Sequence, residues 1–128
     1  MSARFERTFT PDEANALLDE LRPLVERARQ ARRQLLAIDP ALEPALTRAG
    51  GNGGGRVAGE AVALMETVRE IVRRIQAQGV LVKDLEQGLL DFPSERQGRI
   101  VLLCWKAGEP RVAHWHDLDS GFAGRRPL

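Results

Sequence analysis

The apolar positions fall into two helical stretches followed by a region of shorter period. Leu17, Leu21, Leu24, Ala28, Ala31, Leu35 and Ile38 recur in steps of four and three, and a second seam runs through Ala14, Leu18, Leu21, Val25 and Ala28. This spacing predicts a helix over about 11–38 with a wide apolar stripe. Its start is marked in "TFTPDEANALL": Thr10 caps, Pro11 suits the first helical position, and Glu13 completes a capping box, with Phe9 placed to staple onto Ala14. Pro23 lies inside the helix and is expected to bend it. A second stripe, Ala61, Leu64, Met65, Val68, Ile71, Val72 and Ile75, predicts a helix over about 57–78 that stops at Gly79. Together they predict an antiparallel helical hairpin over 10–79, joined through a flexible glycine-rich loop at 49–59.

Beyond Gly79 the pattern shortens to that of strands. "VLVKDLEQGLLDFP" reads as a hairpin turning near Glu86, Gln87 and Gly88, and "SERQG" connects it to a second hairpin. There "RIVLLCWK" and "PRVAHWHD" are separated by "AGE". The expectation is one α+β domain spanning 1–128: the long hairpin, then a three- to four-stranded antiparallel β-meander over 80–117, then a C-terminal tail over 118–128. Two wide stripes and a small sheet leave apolar surface to cover, which predicts a homodimer through the helices.

Composition narrows the function classes. The formal net charge of +1 lacks the basic excess of a dedicated nucleic-acid binder. No apolar run approaches membrane-spanning length and the start carries no apolar targeting core, so neither a nucleic-acid nor a membrane partner is expected and the cytoplasm is the expected location. One cysteine excludes an intrachain disulfide and an all-cysteine zinc cage. Arg27, Arg29, Arg32 and Arg33, interleaved with Asp19, Glu20 and Glu26, read as a solvated helix face.

Candidate chemistry gathers at the C-terminal end. His114 and His116, two apart on a strand, share a face, and Asp119, Glu109 or Cys104 is placed to complete a three-ligand metal set. The competing reading is a half-buried pair beside Trp105 or Trp115. It is preferred, so no metal or other cofactor is expected, with His114, His116 and Asp119 as the alternative metal set. Cys104 with His116 as base is a nucleophile reading disfavoured by the apolar strand "IVLLCW". In "SGFAGRRPL", Arg125 is expected to fold back onto Asp117 or Asp119 and pin the tail, while Gly121 and Gly124 permit an anion site and Phe122 a plug for the core.

Several stretches agree in order with one known family. "FTPDEANALLDELRPL", "VKDLEQGLLDFP", "LLCW", "GEP" and "WHDLDSGFAGRRPL" resemble the bacterial uncharacterised family called domain of unknown function 2203. Trp115, His116, Gly121, Phe122, Gly124 and Arg125 match its Trp-His and Gly-Phe-x-Gly-Arg signature, and Asp84, Gly88, Asp91, Phe92 and Pro93 its hairpin motif. The resemblance implies a bacterial origin and no established activity. In the family pattern an aromatic residue stands where this chain has His114, which weighs against a site needing both histidines.

The functional expectation is a small-ligand-binding or protein-interaction module for an anionic small molecule or a protein partner. Its surface is expected at Trp105, Trp115, His116, Asp117, Asp119, Phe122 and Arg125, approached by Glu86 and Asp91. The alternative is a small enzyme, metal-dependent or not, with His116 as acid–base and Arg125 as anion clamp.

Overall fold

The computed structural model describes residues 5–42 and 59–128, so the expected glycine-rich loop falls almost wholly outside the described residues. Helix α1 spans Pro11–Ile38 without interruption at Pro23, and a short 3-10 turn, Pro40–Leu42, follows it. Thr10 accepts from the Glu13 amide while the Glu13 carboxylate accepts from the Thr10 amide, so the capping box is formed. Helix α2 spans Gly59–Ala77 and packs on α1. No described helix is long and apolar enough to cross a membrane.

Five strands follow: β1 (Leu81–Asp84), β2 (Leu89–Arg96), β3 (Arg99–Lys106), β4 (His114–His116) and β5 (Arg126–Pro127). They form one antiparallel sheet in sequence order, the expected meander with one strand more. The extra strand is the end of the tail: Arg126 pairs with Trp115, and the Leu128 amide donates to Ala113. "SERQG" is not a separate connection. Ser94–Arg96 complete β2, and only Gln97 and Gly98 turn the chain, both at positive φ (52° and 81°). A two-residue turn with both centres left-handed matches the twist of its strands. "PRVA" is not strand either, because the side chain of Asn15 on α1 holds both the amide and the carbonyl of Val112.

Alternation along β2 and β3 sorts the sheet into two faces. Leu90, Phe92, Val101, Leu103, Trp105 and Trp115 pack with Leu17, Leu18, Leu21, Val25, Ile71 and Ile75 of the helices. Phe9 also joins this core, meeting Phe92 edge-on and donating its amide to the Pro93 carbonyl, rather than serving only its own helix. At about 1.5 Å per residue α1 is roughly 42 Å long, well beyond an eight-residue strand. The overhang forms its own core from Ala31, Leu35, Ala61, Met65, Val68 and Val72. Most of both stripes is thus buried within the chain, while Ile38 at the end of α1 and Val62 on α2 stay exposed, at 46% and 41%.

The basic face of α1 is only partly solvated. Arg29 donates to the Glu86 carbonyl, and Arg32, 8% exposed, reaches the Glu86 carboxylate. Both reach over to the β1–β2 turn, which the sequence cannot show because Glu86 comes close only once the sheet packs on the helices.

Candidate functional site

The outer face of the sheet, away from the helices, carries an unusual row. Asp91 of β2, Cys104 of β3 and His114 of β4 stand opposite one another in register. His116, one pleat further along β4, faces Leu102. Asp91, Cys104 and His116 are all at most 3% exposed. His116 leans across β3, placing Nε2 3.2 Å from each Asp91 carboxylate oxygen. Its Nδ1 lies 2.7 Å from the Asp117 carbonyl and must be the donor there, since a carbonyl only accepts. The facing Nε2 and carboxylate therefore share a single proton, held on Nε2 as an imidazolium–carboxylate pair or on Asp91 as an imidazole–carboxylic acid pair.

Burial dominates the protonation of Asp91 and Cys104. It pushes the Asp91 carboxyl above its usual range, against the pull of His116. Burial, then the charge of Asp91, push the Cys104 thiol up to about 12, with Arg125 opposing. A buried protonated thiol is not a nucleophile. His114, directly opposite Cys104, has a buried Nδ1 with no hydrogen-bond partner.

The tail is pinned beside this row, but not by the expected partners. Arg125 forms a two-pronged pair with Glu109, at 3.0 and 2.5 Å. Burial works against the Glu109 charge, yet the Arg125 hydrogen bonds, the Lys106 amide and the Arg125 charge outweigh it and hold its carboxyl below the usual range. Asp117 pairs with Arg99 instead, and Asp119 is exposed and belongs to no ligand group among the described residues. Phe122 does not plug the core. It stays half-buried, with the Arg125 guanidinium 4.2 Å and the Lys106 ammonium 5.6 Å from its ring centre. The Gly124 and Arg125 amides bond to Gly121 and Phe122, so these two tail amides are not free to hold an anion.

A second constellation lies on the helix-facing side, at the end of the sheet near the β2–β3 turn. The guanidinium carbons of Arg96, Arg126 and Arg99 lie 4.7, 5.4 and 5.7 Å from the Trp115 ring centre. Arg96 and Arg99 are directly opposite each other in the ladder, an arrangement of like charges that costs stability. Asp117 neutralises Arg99, whereas neither Arg96 nor Arg126 has an ion-pair partner among the described residues.

A family model described as "Uncharacterized conserved protein (DUF2203)" matches residues 7–128. The chain belongs to that family. No curated protein and no solved structure matches it. In this DUF2203 protein the Trp-His signature divides between faces, Trp115 toward the helices and arginines, His116 toward Asp91 and Cys104. Of the residues read from sequence, Trp105 is a core residue, 1% exposed, whose indole N–H donates to the Glu109 carbonyl. Glu86 stays with Arg29 and Arg32, at the other end of β2 from Arg96. Arg96 and Arg99 were absent from the expected surface. Reading "RQGR" as a tight two-residue turn, which sets its flanking residues opposite each other, supplies the signal.

Proposed function

We propose that this DUF2203 protein is a binding module that seats an anionic group, phosphate or carboxylate, of its partner on the arginines around Trp115. The observation that carries this reading is the cross-strand Arg96–Arg99 pair, joined by Arg126 around one indole ring and neutralised, among the described residues, by a single carboxylate, Asp117. An anion held by these forks relieves the repulsion that the strand register imposes, and arginine suits phosphate and carboxylate geometry. Trp115, 7% exposed beneath them, holds the three guanidinium groups in place through its face.

The competing reading, His116 as acid–base with Arg125 as anion clamp, has less support. Both His116 nitrogens are engaged, and the Arg125 fork is filled by Glu109. A calorimetric titration of the full chain at low salt, with inorganic phosphate and with an oligoglutamate peptide, tests the reading. Saturable binding is expected, weakened roughly tenfold or more in Arg96→Gln/Arg126→Gln, since each lost charge-assisted hydrogen bond is worth about 1.5–3 kcal/mol. A preference for the peptide identifies a protein partner, and a preference for phosphate a small ligand. Absence of binding to both, or equal binding by the variant, overturns the proposal.

A further inference from the structure

The outer face carries a constellation that the arginine surface does not use. Asp91, Cys104 and His116 each offer one ligand atom, and these atoms all lie within 4.8 Å of one another. The three come from three different strands, so the sheet register rather than any local motif assembles them. We propose that they bind a first-row divalent metal ion of the zinc type, through a carboxylate oxygen of Asp91, Sγ of Cys104 and Nε2 of His116.

Three observations carry the proposal. The first is the donor set: thiolate, imidazole and carboxylate together suit a borderline ion such as Zn2+ or Co2+, not Mg2+ or Ca2+. The second is the orientation of His116. Its Nδ1–H is fixed on the Asp117 carbonyl, which aims Nε2 at Asp91, the arrangement that ligating histidines use to fix tautomer and ring. The third is the spacing between His116 and Asp91. Nε2 is equidistant from both carboxylate oxygens at 3.2 Å, longer than a charge-assisted hydrogen bond of about 2.7–2.9 Å. Two ligands at zinc–nitrogen and zinc–oxygen distances of about 2.0–2.2 Å around a tetrahedral ion lie about 3.3–3.5 Å apart, close to that separation. His114, opposite Cys104, has one further buried nitrogen with no hydrogen-bond partner beside the trio.

The set is not the one read from the sequence. His114, His116 and Asp119 were the alternative ligands there, and a metal-free protein the preference. Asp119 is exposed, whereas Asp91 is brought in from a strand two places away. On binding, the Cys104 thiol and the His116–Asp91 pair each give one proton to solvent, leaving thiolate, imidazole and carboxylate to take the ion, so no oxidant or further reactant is needed. The metal site and the Trp115 arginines lie on opposite faces of the sheet, so either proposal can fail without the other.

The test uses the full chain without a histidine tag, incubated with Co2+ or with Zn2+. One equivalent per chain is expected, with a thiolate-to-cobalt charge-transfer band that Cys104→Ala abolishes and at least tenfold weaker binding in Asp91→Asn. Zinc-edge X-ray absorption of wild type gives a reading independent of whether the variants fold, and one sulfur neighbour at about 2.3 Å is expected. No saturable one-to-one binding by wild type, binding that Cys104→Ala leaves unchanged, or a shell of nitrogen and oxygen alone overturns the proposal.

Discussion

His116 and Asp91 stand on strands separated by β3, yet the imidazole of one lies 3.2 Å from both oxygens of the other. Cys104 lies between their strands, and all three side chains are removed from water. Removing one partner strands the other in a buried site, the costly way to break such a pair. In chelator-treated protein, His116→Ala and Asp91→Ala are each expected to lose about 3 kcal/mol of unfolding free energy. The double variant is expected to lose at least about 1 kcal/mol less than the sum, because its second truncation removes a group already stranded. Denaturant unfolding of the four proteins measures this coupling, and strict additivity contradicts it.

The Glu109–Arg125 pair gives the tail a defined dependence on acid. The Glu109 carboxyl is held below its usual range, so the folded state binds fewer protons at this position than the unfolded chain. Its contribution is complete above the unfolded value of about 4.3 and is lost as pH falls through the lower folded value. Glu109→Gln is expected to cost about 1.5–3 kcal/mol at neutral pH and to flatten the acid limb of a Tm-against-pH curve. An unchanged acid limb shows that the pair does not tie down the tail.

The β2–β3 turn holds Gln97 at φ 52°, where a side chain is strained, and Gly98 at φ 81°. Gln97→Gly is expected to stabilise by about 0.5–1 kcal/mol, being relieved of a left-handed strain of about 1–2 kcal/mol but losing chain entropy. Gly98→Ala is expected to destabilise by about 1 kcal/mol through φ alone, since no atom lies within 4 Å of the added carbon. Thermal unfolding of the two variants separates them by sign. Shifts in the same direction contradict the turn geometry.

The helices were legible because their signals are local. Thr10, Pro11 and Glu13 mark one boundary, and stripes of period 3.6 mark the buried faces. The meander followed from the change of period and the glycine turns. What was not legible depends on register. Arg125 was expected on Asp117 or Asp119, and the carboxylate it takes instead, Glu109, is chosen by where the β3–β4 loop places it. Asp91 lies 25 residues before His116, so nothing in the spacing ties them until β3 is set between them. The tail ended as a strand because β4 left an edge that Arg126 and Pro127 could pair with, although a proline beside an arginine signals no strand.

The anion-binding account rests on Trp115 and its arginines, and nuclear magnetic resonance of the indole and guanidinium N–H groups during titration with inorganic phosphate and with oligoglutamate tests it most directly. The expected result is saturable shifts at the Trp115 indole and at Arg96, Arg99 and Arg126, while the Trp105 indole, bonded to the Glu109 carbonyl in the core, stays still. Shifts that never saturate with either probe, or that centre on the α1 arginines Arg27 and Arg33 instead, contradict the account.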